Sequence, residues 1–283
     1  VKMYEGRIEA LESIRGYLKK QNEKYVIMTD SNVAVNFDFN DLLHAHMASG
    51  ADATVVYRKQ EIPDSLIRKS TETVDMYYAL GINGDHVSKI YVNPTEKGKM
   101  NFCLNIYVME RERLIRMIDD AYVHGYTNFV RDILERQIEH LDVRGYCYDG
   151  YVAQIHDMKS YFEENMKLLQ EENLNALFSG NQIYTKIRDD NPTRYINGSK
   201  AKNIMVADGC VIEGEVENSV LFRGVRIGKG AKVKNCVLMQ DTVVEDNASV
   251  EYVITDKDVT ITEGKSLTGN DSFQVFVAKG QTV

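Results

Sequence analysis

The chain has 283 residues and a net charge of −8, with 43% hydrophobic and 27% charged residues. At roughly 100–200 residues per domain, that length predicts about two domains. No apolar run approaches the ~18–20 residues of a membrane helix, the opening residues do not read as a secretory signal, and the acidic balance speaks against nucleic acid or an anionic membrane as partner.

Cys103, Cys147, Cys210 and Cys236 form no CxxC pair. This suggests neither a zinc site nor a disulfide framework and fits a reducing, cytoplasmic setting. Composition changes along the chain. Residues 196–283 hold 15 valines, 9 glycines, 3 leucines and one tyrosine, Tyr252, with no histidine or proline. All six histidines and the other 16 tyrosines precede them.

Ile8, Leu11, Ile14 and Leu18 share one face, so the chain opens on an amphipathic helix. Tyr25–Met28 reads as a short buried strand. Asn40 is the expected N-cap of a helix over 41–49, stopped by Gly50. Ala53–Tyr57, Lys89–Val92 and Phe102–Met109 read as strands. Helices are expected at Arg111–Ala121, Asn128–Leu141 and Lys159–Gln170. Strands alternating with helices predict an α/β layer with a mostly parallel sheet. The ligand crevice is then expected past the carboxyl ends of the strands, after Met28, near Asn93 and near Gln154.

From Val206 onward the period changes. Segments starting at Val220, Val237 and Val253 align at an offset close to 17 residues, with small apolar residues every five or six positions. Gly, Asp or Asn occupies the turns between them. This is the pattern of hexapeptide repeats stacked as about four coils of a parallel β-helix. Phe273–Val277 is expected to cap the last coil or to mark an oligomer contact.

Four segments keep the order of motifs in one family. Tyr4–Ala10 resembles YRGTADA, Gly50–Val56 resembles GADxTV, Asn105–Val108 resembles GIYVF, and Ser160–Leu169 resembles AYWEANMDLL. With the β-helix, the chain resembles the ADP-glucose pyrophosphorylases (glucose-1-phosphate adenylyltransferases) over nearly its whole length. The resemblance implies an α/β nucleotidyltransferase domain of Rossmann-like, GT-A type over 1–180. A linker over 181–200 and a left-handed parallel β-helix over 201–283 follow it. It also implies an N-terminally incomplete domain, because the family's Gly-rich nucleotide loop, GGxGxRL, has no counterpart. Gly228-Lys-Gly230 is read as a β-helix turn instead.

Family members join ATP and glucose 1-phosphate with Mg²⁺, releasing pyrophosphate. That chemistry needs carboxylates to hold the metal and cations to position the sugar phosphate. On alignment, the two metal-binding Asp positions fall on Asn32 and Gln154. The phosphate-holding Lys falls on Asn93, before Pro94, and a sugar-contacting Ser on Cys103. In the GTAD segment, Thr becomes Arg7 and Asp becomes Glu9. Glu9, Asp30, Asn32, Asn93, Cys103 and Gln154 therefore outline a vestigial substrate pocket with no metal of its own. The resemblance is to the regulatory, GlgD-type subunits of glycogen biosynthesis, which implies a catalytic homologue as partner and a hetero-oligomer, with a homo-oligomer also open. One alternative is an active nucleotidyltransferase whose metal has moved to Asp30 or Asp157. Another is a hexapeptide acyltransferase-like trimer, disfavoured because no His follows residue 195. His44 and His46 are read as surface or core residues, and Glu163, Glu164, Glu171 and Glu172 as solvated helix faces.

Overall fold

The computed structural model describes residues 4, 6–63, 66–67, 77–185 and 188–283. Glu5 of the Tyr4–Ala10 motif lies outside them. Contacts divide the chain into two units, one of residues 1–33 and 37–150, the other of 34–36 and 151–283. The break falls at Gly150/Tyr151, ahead of the linker expected at 181–200.

In the first unit the opening amphipathic stretch forms two helices, α1 (Arg7–Ser13) and α2 (Arg15–Leu18), interrupted at Ile14. They bury Ile8, Leu11 and Leu18. Strand β1 (Tyr25–Met28) follows, then β2 (Val33–Ala34) and helix α3 (Phe39–Ser49). The N-cap of α3 is Asp38 rather than Asn40: its carboxylate accepts the Asn40 N–H at 2.8 Å. An ionised carboxylate satisfies the free amide and the helix dipole together. Gly50, at φ 64°, ends the helix as expected.

Strands β3 (Ala53–Glu61), β4 (Tyr78–Asn83), β5 (His86–Val92), β6 (Lys99–Glu110) and β7 (Val143–Cys147) complete a six-stranded sheet of order β1-β6-β3-β7-β5-β4. The expected mostly parallel sheet is corrected here. Only β3 and β7 pair in parallel, and the other ladders are antiparallel. The tight β4–β5 hairpin and the long β6, running against both β1 and β3, set this pattern. Strand β1 is an edge of the sheet, and its partner is β6.

Helix α4 (Arg111–Val123) lays Leu114, Ile115, Ile118 and Ala121 into the core. The helix expected over 128–141 is instead a π-helical segment, Phe129–Glu135. Asn128 caps it by accepting the Val130 and Arg131 N–H groups.

The second unit takes in residues 34–36 and, from Tyr151 on, the short strand β8 (Ala153–Gln154). Helices α5 (Met158–Lys167) and α6 (Glu171–Phe178) follow. The rest is a parallel β-helix of short strands, β9 (Arg194–Tyr195) to β21 (Val275–Val277). Val220 pairs with Val237 and Val237 with Ile254, and Arg226 pairs with Val243 and Val243 with Thr260. The 17-residue offset therefore holds, but the third repeat starts at Ile254 and not Val253. Phe273–Val277 does not cap the stack: Val275–Val277 pairs with Val253–Thr255 as a further rung.

The interior is a column of small apolar side chains, among them Val216, Val225, Ile227, Val233, Val244, Val250 and Ile261, all buried. Branched Cβ atoms suit these short strands, and the narrow lumen has no room for aromatics. The corners are carried by Asn, Asp and Gly in left-handed backbone, such as Asn218, Asn235, Asp241, Asn247 and Gly230.

Candidate functional site

A cavity of about 1100 Å³ opens in the first unit. Its walls come from α1, from β1 with the turn after it, and from the start of the π-helical segment. One end is apolar, with Leu11, Ile14, Leu18, Val26 and Leu114. The other is polar, with Arg7, Asp30, Ser31, Asn105, Asn128 and Arg131. The residues after Met28 thus line a crevice at the carboxyl end of a strand, as expected.

Arg7 organises the polar end. Its guanidinium donates to the Asp30 carboxylate and lies 5.1 Å from the centroid of the Tyr107 ring. Burial works against the Arg7 charge, but Tyr107 and Asp30 outweigh it and hold its pKa above the usual value. Tyr107 is fully buried, and its hydroxyl donates to Asn105 Oδ1 at 2.8 Å. Cys103 Sγ lies 3.4 Å from that hydroxyl. Burial pushes up both the Cys103 thiol and the Tyr107 phenol, so both stay protonated. Asn105 adopts φ 57°, the left-handed backbone that brings its amide back over Cys103 and Tyr107.

Across the cavity, Asn128 Nδ2 donates to the Tyr78 hydroxyl at 2.7 Å. Burial drives the Tyr78 pKa up to about 12. Arg131 is matched by Asp132 at 2.7 Å. Asp132 also accepts the Thr127 and Asn128 N–H groups, and its carboxyl falls to about 2, chiefly through Arg131. Each of these two arginines on the wall thus already holds a carboxylate of its own.

The six residues expected to outline the pocket are not all brought together. Asp30 and Cys103 meet through Arg7 and Tyr107. Glu9 sits in the first turn of α1, half-buried, and does not line the cavity. Asn32 is half-buried, and its Oδ1 is sealed from solvent without a hydrogen bond. Asn93, at φ 48°, closes the end of the β4–β5 hairpin. Its Oδ1 accepts the Tyr77 N–H at 3.0 Å, and the Tyr77 hydroxyl donates to Pro94 O at 2.7 Å. Asn93 is thus spent on the backbone and does not line the cavity. Gln154 lies in β8 of the second unit. Asp157, the other candidate carboxylate, is the N-cap of α5, in a capping box with Ser160 at 2.8 Å.

Tyr107, Asn105, Tyr78 and Asn128 were not singled out by sequence reasoning. One signal pointed to them: a cation at position 7, where the resembling motif has Thr, needs a carboxylate and an aromatic face if it is buried. The histidines resolve as expected. His46 is buried with Nδ1 2.8 Å from Thr54 Oγ1, and His44 is exposed.

The donors described in either unit do not fit a divalent cation. In the first unit Asn32 offers a neutral carbonyl oxygen and Asp30 is neutralised by Arg7; in the second, Gln154 offers a neutral carbonyl oxygen and Asp157 is tied into a helix cap. Among the described residues no three His, Cys, Asp or Glu side chains converge. Such a site lacks the charge that hard divalent ions require.

Known proteins resemble this chain over most of its length. Residues 187–274 match the model of the GlmU-like, C-terminal hexapeptide. The chain is 30% identical over 265 residues to the glycogen biosynthesis protein GlgD of Bacillus subtilis (strain 168), covering 93% of this chain and 65% of that protein. It is 30% identical over 239 residues to the glucose-1-phosphate adenylyltransferase of Geobacillus stearothermophilus, covering 83% of this chain and 59% of that enzyme. It is 32% identical over 218 residues to the GlgD of the same organism, covering 77% of this chain and 51% of that protein. The chain therefore spans between half and two thirds of the length of these relatives.

Proposed function

We propose that this chain, which is similar over most of its length to a glucose-1-phosphate adenylyltransferase and to proteins named GlgD, acts in glycogen biosynthesis as a regulatory, catalytically impaired subunit. Its partner is a catalytic homologue that makes ADP-glucose from ATP and glucose 1-phosphate. Similarity to proteins named GlgD supports this reading. So does one observation at the site: the carboxylate best placed to take over a metal, Asp30, is held by Arg7.

The physical argument is electrostatic. Attack of one phosphate on another proceeds only when the charge on the phosphoryl oxygens is offset. The family positions for two of those offsets carry Asn32 and Gln154, and the position for a third carries Asn93. Losing a single stabiliser of this kind typically costs ~10²–10³ in rate. Losing three leaves no useful turnover. What the chain retains is its scaffold, and a subunit of this kind acts through contacts with its partner. Four free cysteines, three of them buried, suit the reducing cytoplasm where such a partner would work. Among the described residues no helix is long and apolar enough to cross a membrane.

The test is an assay of the whole protein, alone and with the catalytic homologue, for pyrophosphate-dependent ATP formation from ADP-glucose. The protein alone is expected to be inactive, to co-migrate with the homologue on size exclusion, and to change its kinetics. Robust activity alone, abolished by Asp30→Asn, would instead establish the relocated-metal enzyme. Separate migration with unchanged kinetics would remove the subunit reading.

A further inference from the structure

Among the described residues, every non-glycine position in left-handed backbone is Asn or Asp, with one exception, Tyr252 at φ 52°. The exception sits in a column. Lys202, Glu217, Lys234 and Glu251 pair rung to rung, and the residues just after them are Asn203, Asn218, Asn235 and Tyr252. On the next rung Thr268 pairs with Glu251, and the residue after it, Gly269, is outside the left-handed region. The asparagines hold φ values of 49, 45 and 51°, and Asn203 Nδ2 donates to Asn218 Oδ1 at 2.8 Å. Asn tolerates this backbone, and a bulky ring does so poorly.

The rung itself does not force the exception. The Tyr252 N–H donates to Lys234 O at 3.2 Å, and Tyr252 O accepts from the Val275 N–H at 3.0 Å. An asparagine would keep both bonds and continue the column. What distinguishes Tyr252 is its side chain, whose ring centroid lies 6.1 Å from that of Phe162.

Phe162 is the buried residue of helix α5. It rests on Val220, Val237 and Ile254, successive members of one register column on the outside of the coils. Their chain neighbours Leu221 and Leu238 belong to the interior core. Helix α5 has 10 residues, below the ~12–15 at which isolated helices become marginally stable. Its order therefore depends on this seat. Just ahead of it, past the Asp157 capping box, lies the strand carrying Gln154.

We propose that Tyr252 is a strained latch. The left-handed backbone delivers the Tyr252 ring to Phe162, and that contact fixes helix α5 and, through it, the strand that carries Gln154. Sites that hold a residue in sparsely populated backbone commonly use it. Tyr252 is thus a positioning residue, separable from the coils that carry it. Under the regulatory reading above, a change in the coils would reach Gln154 by this route. The latch itself does not depend on that reading.

Backbone amide exchange on the intact chain tests it. In Tyr252→Asn, exchange over residues 158–167 is expected to rise about fivefold to tenfold, with no acceleration at Val237 or Ile254. Tyr252→Phe is expected to retain the wild-type pattern, because the ring and not the hydroxyl makes the contact. Phe162→Leu, which leaves Tyr252 in place, is expected to accelerate the same helix. Unchanged helix exchange in Tyr252→Asn overturns the latch, whatever Phe162→Leu does. So does equal acceleration of the coils in Tyr252→Asn, which would make Tyr252 an ordinary structural residue of the stack. If Tyr252→Asn fails to fold, Tyr252→Leu, which removes the ring, decides: helix exchange as in the wild type overturns the latch.

Discussion

The two units hold their chain in different ways. In the coil stack each side chain meets its counterpart one rung away, so a local pattern repeated at 17 residues specifies the packing. In the α/β unit the decisive contacts are singular and distant: Arg7 with Asp30, Asn128 with Tyr78, Arg113 with Asp52. A repeat averages its constraints over many copies. A singular contact has no second copy, so it is less legible and easier to lose selectively.

The largest effect is expected where a rung has no room. A Cβ on Gly214 would approach Gly228 O to 2.7 Å and the Ala231 carbonyl oxygen more closely still. Because both are backbone atoms of the adjoining coil, Gly214→Ala should cost about 3 kcal/mol or more, read by denaturant unfolding. A cost near that of an ordinary surface change would break the idea that the stack is locked rung on rung.

Next comes the singular carboxylate of the other unit. Asp132 falls to about 2 in the fold, chiefly through Arg131, against about 3.9 in an unfolded chain. The folded state therefore binds fewer protons, and the stability from Asp132 is complete above about pH 4. It is lost as pH falls through about 2. Asp132→Asn should cost about 2 kcal/mol at neutral pH and flatten the acid limb of the stability curve.

A smaller pH dependence is expected from His46. Burial lowers its pKa in the fold, so below about pH 6.5 the unfolded chain takes a proton that the folded chain resists. Stability should fall slightly between pH 7 and pH 5, and His46→Gln should remove that slope in a thermal-melt series. The smallest effect is on the coil surface. Lys202 pairs with Glu217 at 3.1 Å but is 80% exposed, so Lys202→Ala should cost less than about 0.5 kcal/mol. A larger loss would mean that the surface ladder, and not the apolar lumen, carries the stack.

This contrast also explains what could be read beforehand. The coils were legible because Val, Gly and Asn at fixed spacing admit few other folds. The start of the third repeat was misplaced from Ile254 to Val253, because adjacent branched residues make either register plausible. In the α/β unit, hydrophobic runs located β1, β3, β5 and β6. They could not report direction, since a buried strand reads alike in parallel and antiparallel ladders. The α3 cap is Asp38 and not the expected Asn40: both residue types suit the role, and what separates them is a hydrogen bond. At the site, Asp30 was visible as a carboxylate and Arg7 as a substitution. Their pairing was not, because 23 residues separate them and no local period connects them.

The stacked coils also make a ruler. Neighbouring rungs lie one strand spacing apart, about 4.8 Å, so the stack changes length only in whole steps. Helix α5 grips three consecutive rungs, through Val220, Val237 and Ile254. Excising one 17-residue coil would close the stack by one step and slide the surface beneath that grip by the same distance. Chain length in this unit is therefore not a continuous quantity. It sets, in discrete graduations, how far the last rung stands from the helix.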